Sequence, residues 1–203
     1  EMCIRDRLGS RYAVLNCGVS GTTMFKNSEA PYWTTSNFIR AKEANPQILI
    51  IALGTNDAHP SRWNKLKAEF KSDYLAMVDE FRQSGKDPII YVCLAPPLFG
   101  LAKADQNKVV EEDLIPLVKE IAREIGAYII DYHQPLLGAN KEFPDDVHPD
   151  DVGSALMAKI AYQKIKETQV IQPHIFVSKG SVEKESIAVV EKGGTVTFSP
   201  QPE

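Results

Sequence analysis

Four short runs of consecutive apolar residues punctuate the chain. Tyr12–Cys17 reads YAVLNC, Gln47–Leu53 reads QILIIAL, Pro88–Leu94 reads PIIYVCL and Ala127–Asp131 reads AYIID. All four have strand length, and they are continuous rather than alternating. That pattern predicts strands buried on both faces, as in a parallel sheet. Turn-forming residues close the first three: GVSGTT after the first, Gly54 after the second and Pro96-Pro97 after the third.

Between these runs the apolar period becomes helical. Phe70, Tyr74, Met77 or Val78, and Phe81 fall on one helix face. Val110, Leu114, Leu117, Ile121 and Ile125 do the same, with Pro116 expected to kink that helix. Val152, Leu156, Ile160 and Ile165 mark a last helix after Pro149. Strands alternating with helices predict an α/β domain with right-handed crossovers. The pattern changes near Pro173, where HIFVS, SIAVVE and TVTFS are β-type runs and EKGGTV supplies a turn. About 30 residues cannot form an independent all-β domain. The tail is therefore expected either to pack as a hairpin or to open a β-sandwich module.

Composition adds limits. The 203 residues are 43% hydrophobic and 25% charged, with net charge −4. No basic stripe is present, so nucleic acid is not an expected partner. No apolar run reaches the ~18 residues a membrane span requires, so no membrane partner is expected. The three cysteines are Cys3, Cys17 and Cys93; their spacing suggests neither a disulfide framework nor a zinc site, and Cys17 and Cys93 read as buried free thiols. The opening EMCIRDR has neither a strand nor a helix period and does not read as the start of a secretion signal. It is expected to be a non-native start. The expected organisation is thus 1–7 apart, 8–170 as the α/β domain and 171–203 as the β-rich segment.

Three stretches follow strands, where open α/β sheets bind ligands. They are NCGVSGTT (Asn16–Thr23), LGTND (Leu53–Asp57) and DDVH (Asp145–His148). In the last, a carboxylate three residues before a histidine suits an oriented catalytic imidazole; the competing reading is a solvated histidine at a helix start. In their order the three resemble blocks of the SGNH, or GDSL-type, hydrolase family, over roughly residues 8 to 168. PYWTT and LAPPLFG resemble its carbohydrate O-acetylesterase branch.

That resemblance implies a three-layer α/β/α flavodoxin-like fold and ester hydrolysis without metal or organic cofactor. It implies His148 as general base, Asp145 as its orienting carboxylate, and Asn56 and Gly21 as oxyanion donors. Gly21 is expected to allow close backbone approach, Asp57 to brace its loop, and Asp146 to be a cap or surface charge. Pro149 suits a first helical position, which would place a helix dipole beside His148. The family's Gly-Asp-Ser nucleophile block occurs nowhere in the chain. The nucleophile and the first strand are therefore expected upstream, and the chain alone is expected to be inactive. Ser20 is the other candidate, because GVSGT nearly matches a G-x-S-x-G elbow but has Thr22 at the last position. His59, His133 and His174 are expected in surface or loop roles. Trp33, Trp63, Tyr32 and Phe99 are available either to line a sugar site or to pack. The expected substrate is a small-molecule or polysaccharide ester, above all a carbohydrate O-acetyl group. The alternatives are a non-catalytic carbohydrate-binding relative and a lysophospholipase or thioesterase of the same fold. A secreted or periplasmic setting is favoured for the parent protein.

Overall fold

The structure, a computed structural model, describes residues 4, 7–10, 12–85, 87–171, 174–178 and 181–185. It divides into two compact units, Cys17–Gly153 and a second made of Glu1–Asn16 with Ser154–Glu203.

The first unit is built on a parallel three-stranded sheet in the order β1-β2-β3. β1 (Ile48–Ile51), β2 (Ile89–Leu94) and β3 (Tyr128–Asp131) are the second, third and fourth apolar runs, trimmed at their ends. Ile48 to Ile51 pair with Ile89 to Val92, and Tyr91 to Leu94 pair with Tyr128 to Asp131. Parallel neighbours need a crossover. α2 (Pro60–Gln83) makes the first. α3 (Ala104–Val109) and α4 (Ile115–Ile125) make the second. A shorter α1 (Ser36–Glu43) precedes β1, capped by the Thr35 hydroxyl, which accepts from the Phe38 amide.

The expected face of α2 is buried as Phe70, Tyr74, Met77, Val78 and Phe81, and Trp63 extends it two turns further back. α2 packs on α3 and α4, and α4 packs on β2 and β3. Leu49, Ile51, Ile90, Val92 and Leu94 join this cluster from the sheet. Each fully buried large apolar side chain contributes roughly 1.5–3 kcal/mol. β2 is buried from Ile90 to Leu94, as the continuous run predicts, whereas β1 alternates and leaves Ile50 37% exposed.

Three expectations change. Tyr12–Cys17 forms no strand; apolar residues create strand potential, but a strand exists only with a ladder partner, and Leu15 is 44% exposed. The kink expected at Pro116 is replaced by a π-turn at Val110–Leu114. Pro116 follows that turn directly as the second residue of α4, where the wider turn ahead of it accommodates a residue without an N–H. In the last helix, α5 (Asp151–Ile171), Val152 and Leu156 are exposed, and burial falls on Ala158, Ala161 and Ile165.

In the second unit β4 (His174–Ser178) pairs antiparallel with β5 (Ser181–Glu185). β4 is the HIFVS run. SIAVVE, EKGGTV and TVTFS lie outside the described residues. No helix among the described residues is long and apolar enough to cross a membrane.

Candidate active site

The Asp145–His148 pair forms from local chain geometry. Asp145 Oδ1 accepts from the amides of Val147 at 3.0 Å and His148 at 2.6 Å. This Asx-type turn folds the chain back and brings His148 Nδ1 to 2.7 Å from Asp145 Oδ2. The His148 amide, then its imidazole, holds the Asp145 carboxyl well below the usual carboxylate range. An ionised carboxylate only accepts, so Nδ1 donates in this contact, and in the neutral ring the lone pair lies on Nε2. Both side chains face solvent, at 58% and 70% exposure.

Asp146 does different work. Its φ is +67°, and its carbonyl accepts from the Phe99 amide at 2.9 Å. A Cβ on Gly100 would lie 2.3 Å from its carboxylate, so a side chain at residue 100 would push the Asp146 carboxylate aside. Pro149 is not the first helical position. The Asp150 side chain accepts from the Gly153 amide and caps α5, which begins at Asp151. Pro149 therefore lies outside the helix, and the helix start expected there falls two residues further on, at Asp151.

The other two stretches form one braced corner. Asn56 Nδ2 donates to the Thr22 carbonyl at 3.0 Å; this fixes the amide plane and leaves its second N–H for another acceptor. Asp57 is 0% exposed. Its Oδ1 accepts from Met24 N at 2.9 Å and Phe25 N at 3.0 Å, and its Oδ2 lies 3.0 Å from Met24 N. Burial pushes its pKa up to about 6 against the lowering effect of those amides. Gly21 has φ +78°, and nothing lies within 4 Å of where its Cβ would be. The backbone angle, not a close approach, is what requires glycine there. Ser20 is exposed, in a turn, and among the described residues it makes no hydrogen bond to His148.

His133 departs from expectation. His133 is 4% exposed; its Nδ1 lies 3.1 Å from the Ala95 carbonyl and its Nε2 3.4 Å from Glu111. It is an interior loop anchor, not a surface residue. Trp63 and Tyr32 are buried, in keeping with the packing reading of the two; Trp63 donates to Asp113 at 2.7 Å. Trp33 donates to the Met24 carbonyl with Lys26 over its ring, and Phe99 packs on Phe143. Cys93 is buried and its thiol is pushed up to about 12 by desolvation; Cys17 is half-buried. Sequence reading also passed over Gln106 and Asn107, two amides on α3. Gln106 Nε2 donates to the Thr55 carbonyl at 2.7 Å, and Asn107 Oδ1 accepts from the Leu98 amide at 2.8 Å. Among the described residues no cluster of three or more His, Cys, Asp or Glu side chains is placed to hold a metal.

The Asp145–His148 loop thus offers an imidazole base, and the braced corner offers amide donors, Asn56 on the loop after β1 and Gly21 in the turn before Thr22. Residues 3–156 match the model of the GDSL-like lipase/acylhydrolase family. An acetylxylan esterase of Xylanibacter ruminicola is 32% identical over 177 residues, 78% of this chain and 37% of that protein. The chain therefore spans well under half the length of that relative. The M. smegmatis aryl esterase superposes with TM-score 0.62 at 16% identity, covering 81% of this chain and 83% of that chain. Est24, a carbohydrate acetylesterase from Sinorhizobium meliloti, superposes with TM-score 0.58 at 18% identity, covering 82% and 83%. The two structures share the fold, and the family match covers most of the sequence. The chain belongs to the GDSL-like lipase/acylhydrolase family, and its parallel sheet with flanking helices is the flavodoxin-like α/β fold of SGNH hydrolases.

Proposed function

We propose that the protein is a serine-type ester hydrolase that removes O-acetyl groups from carbohydrates. The observation that carries this reading is the 2.7 Å contact between His148 Nδ1 and Asp145 Oδ2. With Nδ1 protonated, Nε2 takes the proton of a nucleophilic hydroxyl as that oxygen attacks the ester carbonyl. Asp145, ionised across the working pH range, stabilises the imidazolium that results. The free N–H of Asn56 and the backbone N–H of Gly21 serve the tetrahedral oxyanion. Its collapse expels the sugar alcohol, which receives the proton from His148. Water, activated by the same imidazole, then releases acetate.

The nucleophile in this reading is the serine of the family's Gly-Asp-Ser block, which these 203 residues do not contain. The second reading is a carbohydrate-binding relative without catalysis, which a different residue at the position of that serine would favour. The acetyl and carbohydrate assignment draws support from the similarity to an acetylxylan esterase. The test is to express the protein from its own gene and compare acetylated xylan with a long-chain lysophospholipid. Acetate release supports the proposal, preference for the lipid removes the carbohydrate assignment, and binding of xylan without release of acetate supports the second reading. Residues 1–203 alone are expected to give no turnover. Hydrolysis by them that Ser20→Ala abolishes would assign the nucleophile to Ser20.

A further inference from the structure

Two neighbouring amides of α3 reach in different directions, to the two halves of the candidate site. Gln106 donates to the carbonyl of Thr55, the residue before Asn56. Asn107 accepts from the Leu98 amide, and the next residue, Phe99, donates to the Asp146 carbonyl inside the Asp145–His148 loop. Asn107 is itself held by Glu111, which accepts from its Nδ2 at 3.0 Å. α3 runs straight into the π-turn at Val110–Leu114; π-turns widen a helix locally and recur at functional sites. One short helix therefore carries adjacent polar anchors to the loop after β1 and to the loop after β2 that supports His148.

We propose that Gln106 and Asn107 are paired positioning residues. Gln106 sets the placement of the Asn56 amide, and Asn107 sets the placement of the His148 imidazole through residues 98, 99 and 146. The proposal rests on the reading of Asn56 as oxyanion donor and His148 as base. It explains why two amides on a short helix are spent on backbone groups of two separate loops. Catalytic donors and bases work only when held within about 0.5 Å of the productive geometry, and Thr55 and Leu98 lie in loops without ladder hydrogen bonds of their own.

The experiment is a crossed mutant cycle in the protein expressed from its own gene, read as kcat and KM on p-nitrophenyl acetate well below the melting temperature. Gln106→Met removes the donor at nearly constant length, and Gln106→Glu removes it at constant shape. Both are expected to lower kcat about tenfold with KM within about twofold, since small misplacements of this kind cost up to ~10²-fold. In an Asn56→Ala background the same changes are expected to lower kcat by no more than about twofold, because the group they position is gone. Asn107→Leu is expected to lower kcat about tenfold in both backgrounds. Asn107→Asp, which keeps an acceptor for the Leu98 amide, is expected to recover most of that loss. If Gln106→Met does not fold, Gln106→Glu decides the first arm. Equal Gln106 losses in both backgrounds, wild-type turnover in Gln106→Glu, or lowered melting temperature with unchanged kcat would overturn the proposal. A wild-type protein that hydrolyses no ester removes the functional reading and this proposal with it. An active one whose turnover depends on Asn56 but shows no Gln106 coupling removes this proposal alone.

Discussion

The carboxylate of Asp57 accepts the Met24 amide at 2.9 Å across 33 residues of sequence. It makes the Asn16–Thr23 and Gly54–Asp57 stretches one braced corner, and Asn56 adds a second tie to the Thr22 carbonyl. The glycine turn and the Asn56 amide are therefore positioned together.

A pH dependence follows from Asp57. Its pKa in the folded protein, about 6, lies above its ordinary 3.8. The folded state thus holds its proton more tightly, so this group's contribution is fully present below about pH 4 and is lost as pH rises through about 6. The loss is about 2 kcal/mol between pH 4 and 7. Urea unfolding at the two pH values is expected to show this loss in the wild type and not in Asp57→Asn. Identical pH slopes in both would contradict the burial argument. Asp57→Ala is expected to cost about 2 kcal/mol or more, because the Met24 and Phe25 amides are left unpaired.

Asn56 separates chemistry from bracing. Asn56→Ala is expected to lower kcat by roughly 10²–10³, with a modest loss of stability from the broken Thr22 contact. A variant with unchanged kcat and a lower melting temperature would make Asn56 a loop brace only.

Gly54 is strained for any other residue. Its φ is +126°, and an added Cβ would lie 3.1 Å from a Leu114 methyl. Gly54→Ala is expected to destabilise by about 1–3 kcal/mol, measured by denaturant unfolding. Leu114→Ala relieves the contact but not the backbone angle. The double variant is therefore expected to remain less stable than Leu114→Ala; equal stabilities would show that the angle carries no cost.

Local patterns were legible in the sequence, and long-range ones were not. β1, β2, β3 and the Phe70–Phe81 face of α2 followed from apolar runs and helical spacing, because burial alone decides those positions. Trp63 lies on the same face and that spacing could have placed it in the core. The Asp145–His148 pair was legible because its partners are three residues apart and an Asx turn brings them together. Tyr12–Cys17 misled because an apolar run carries no information about its ladder partner. The Pro116 expectation missed the π-turn just ahead of the proline, because apolar spacing does not distinguish one wider turn within a helix. His133, Gln106 and Asn107 bond to groups on distant loops, and nothing near them in sequence marks a buried anchor or a loop tie.

The central claim is that His148, oriented by Asp145, is the base of an ester hydrolase. The most direct measurement is acetate release from acetylated xylan by the protein expressed from its own gene, beside its His148→Ala variant with matched folding by circular dichroism. The account predicts turnover in the wild type and a loss on the order of 10⁴–10⁶-fold in the variant. A His148→Ala protein within tenfold of the wild type would contradict it.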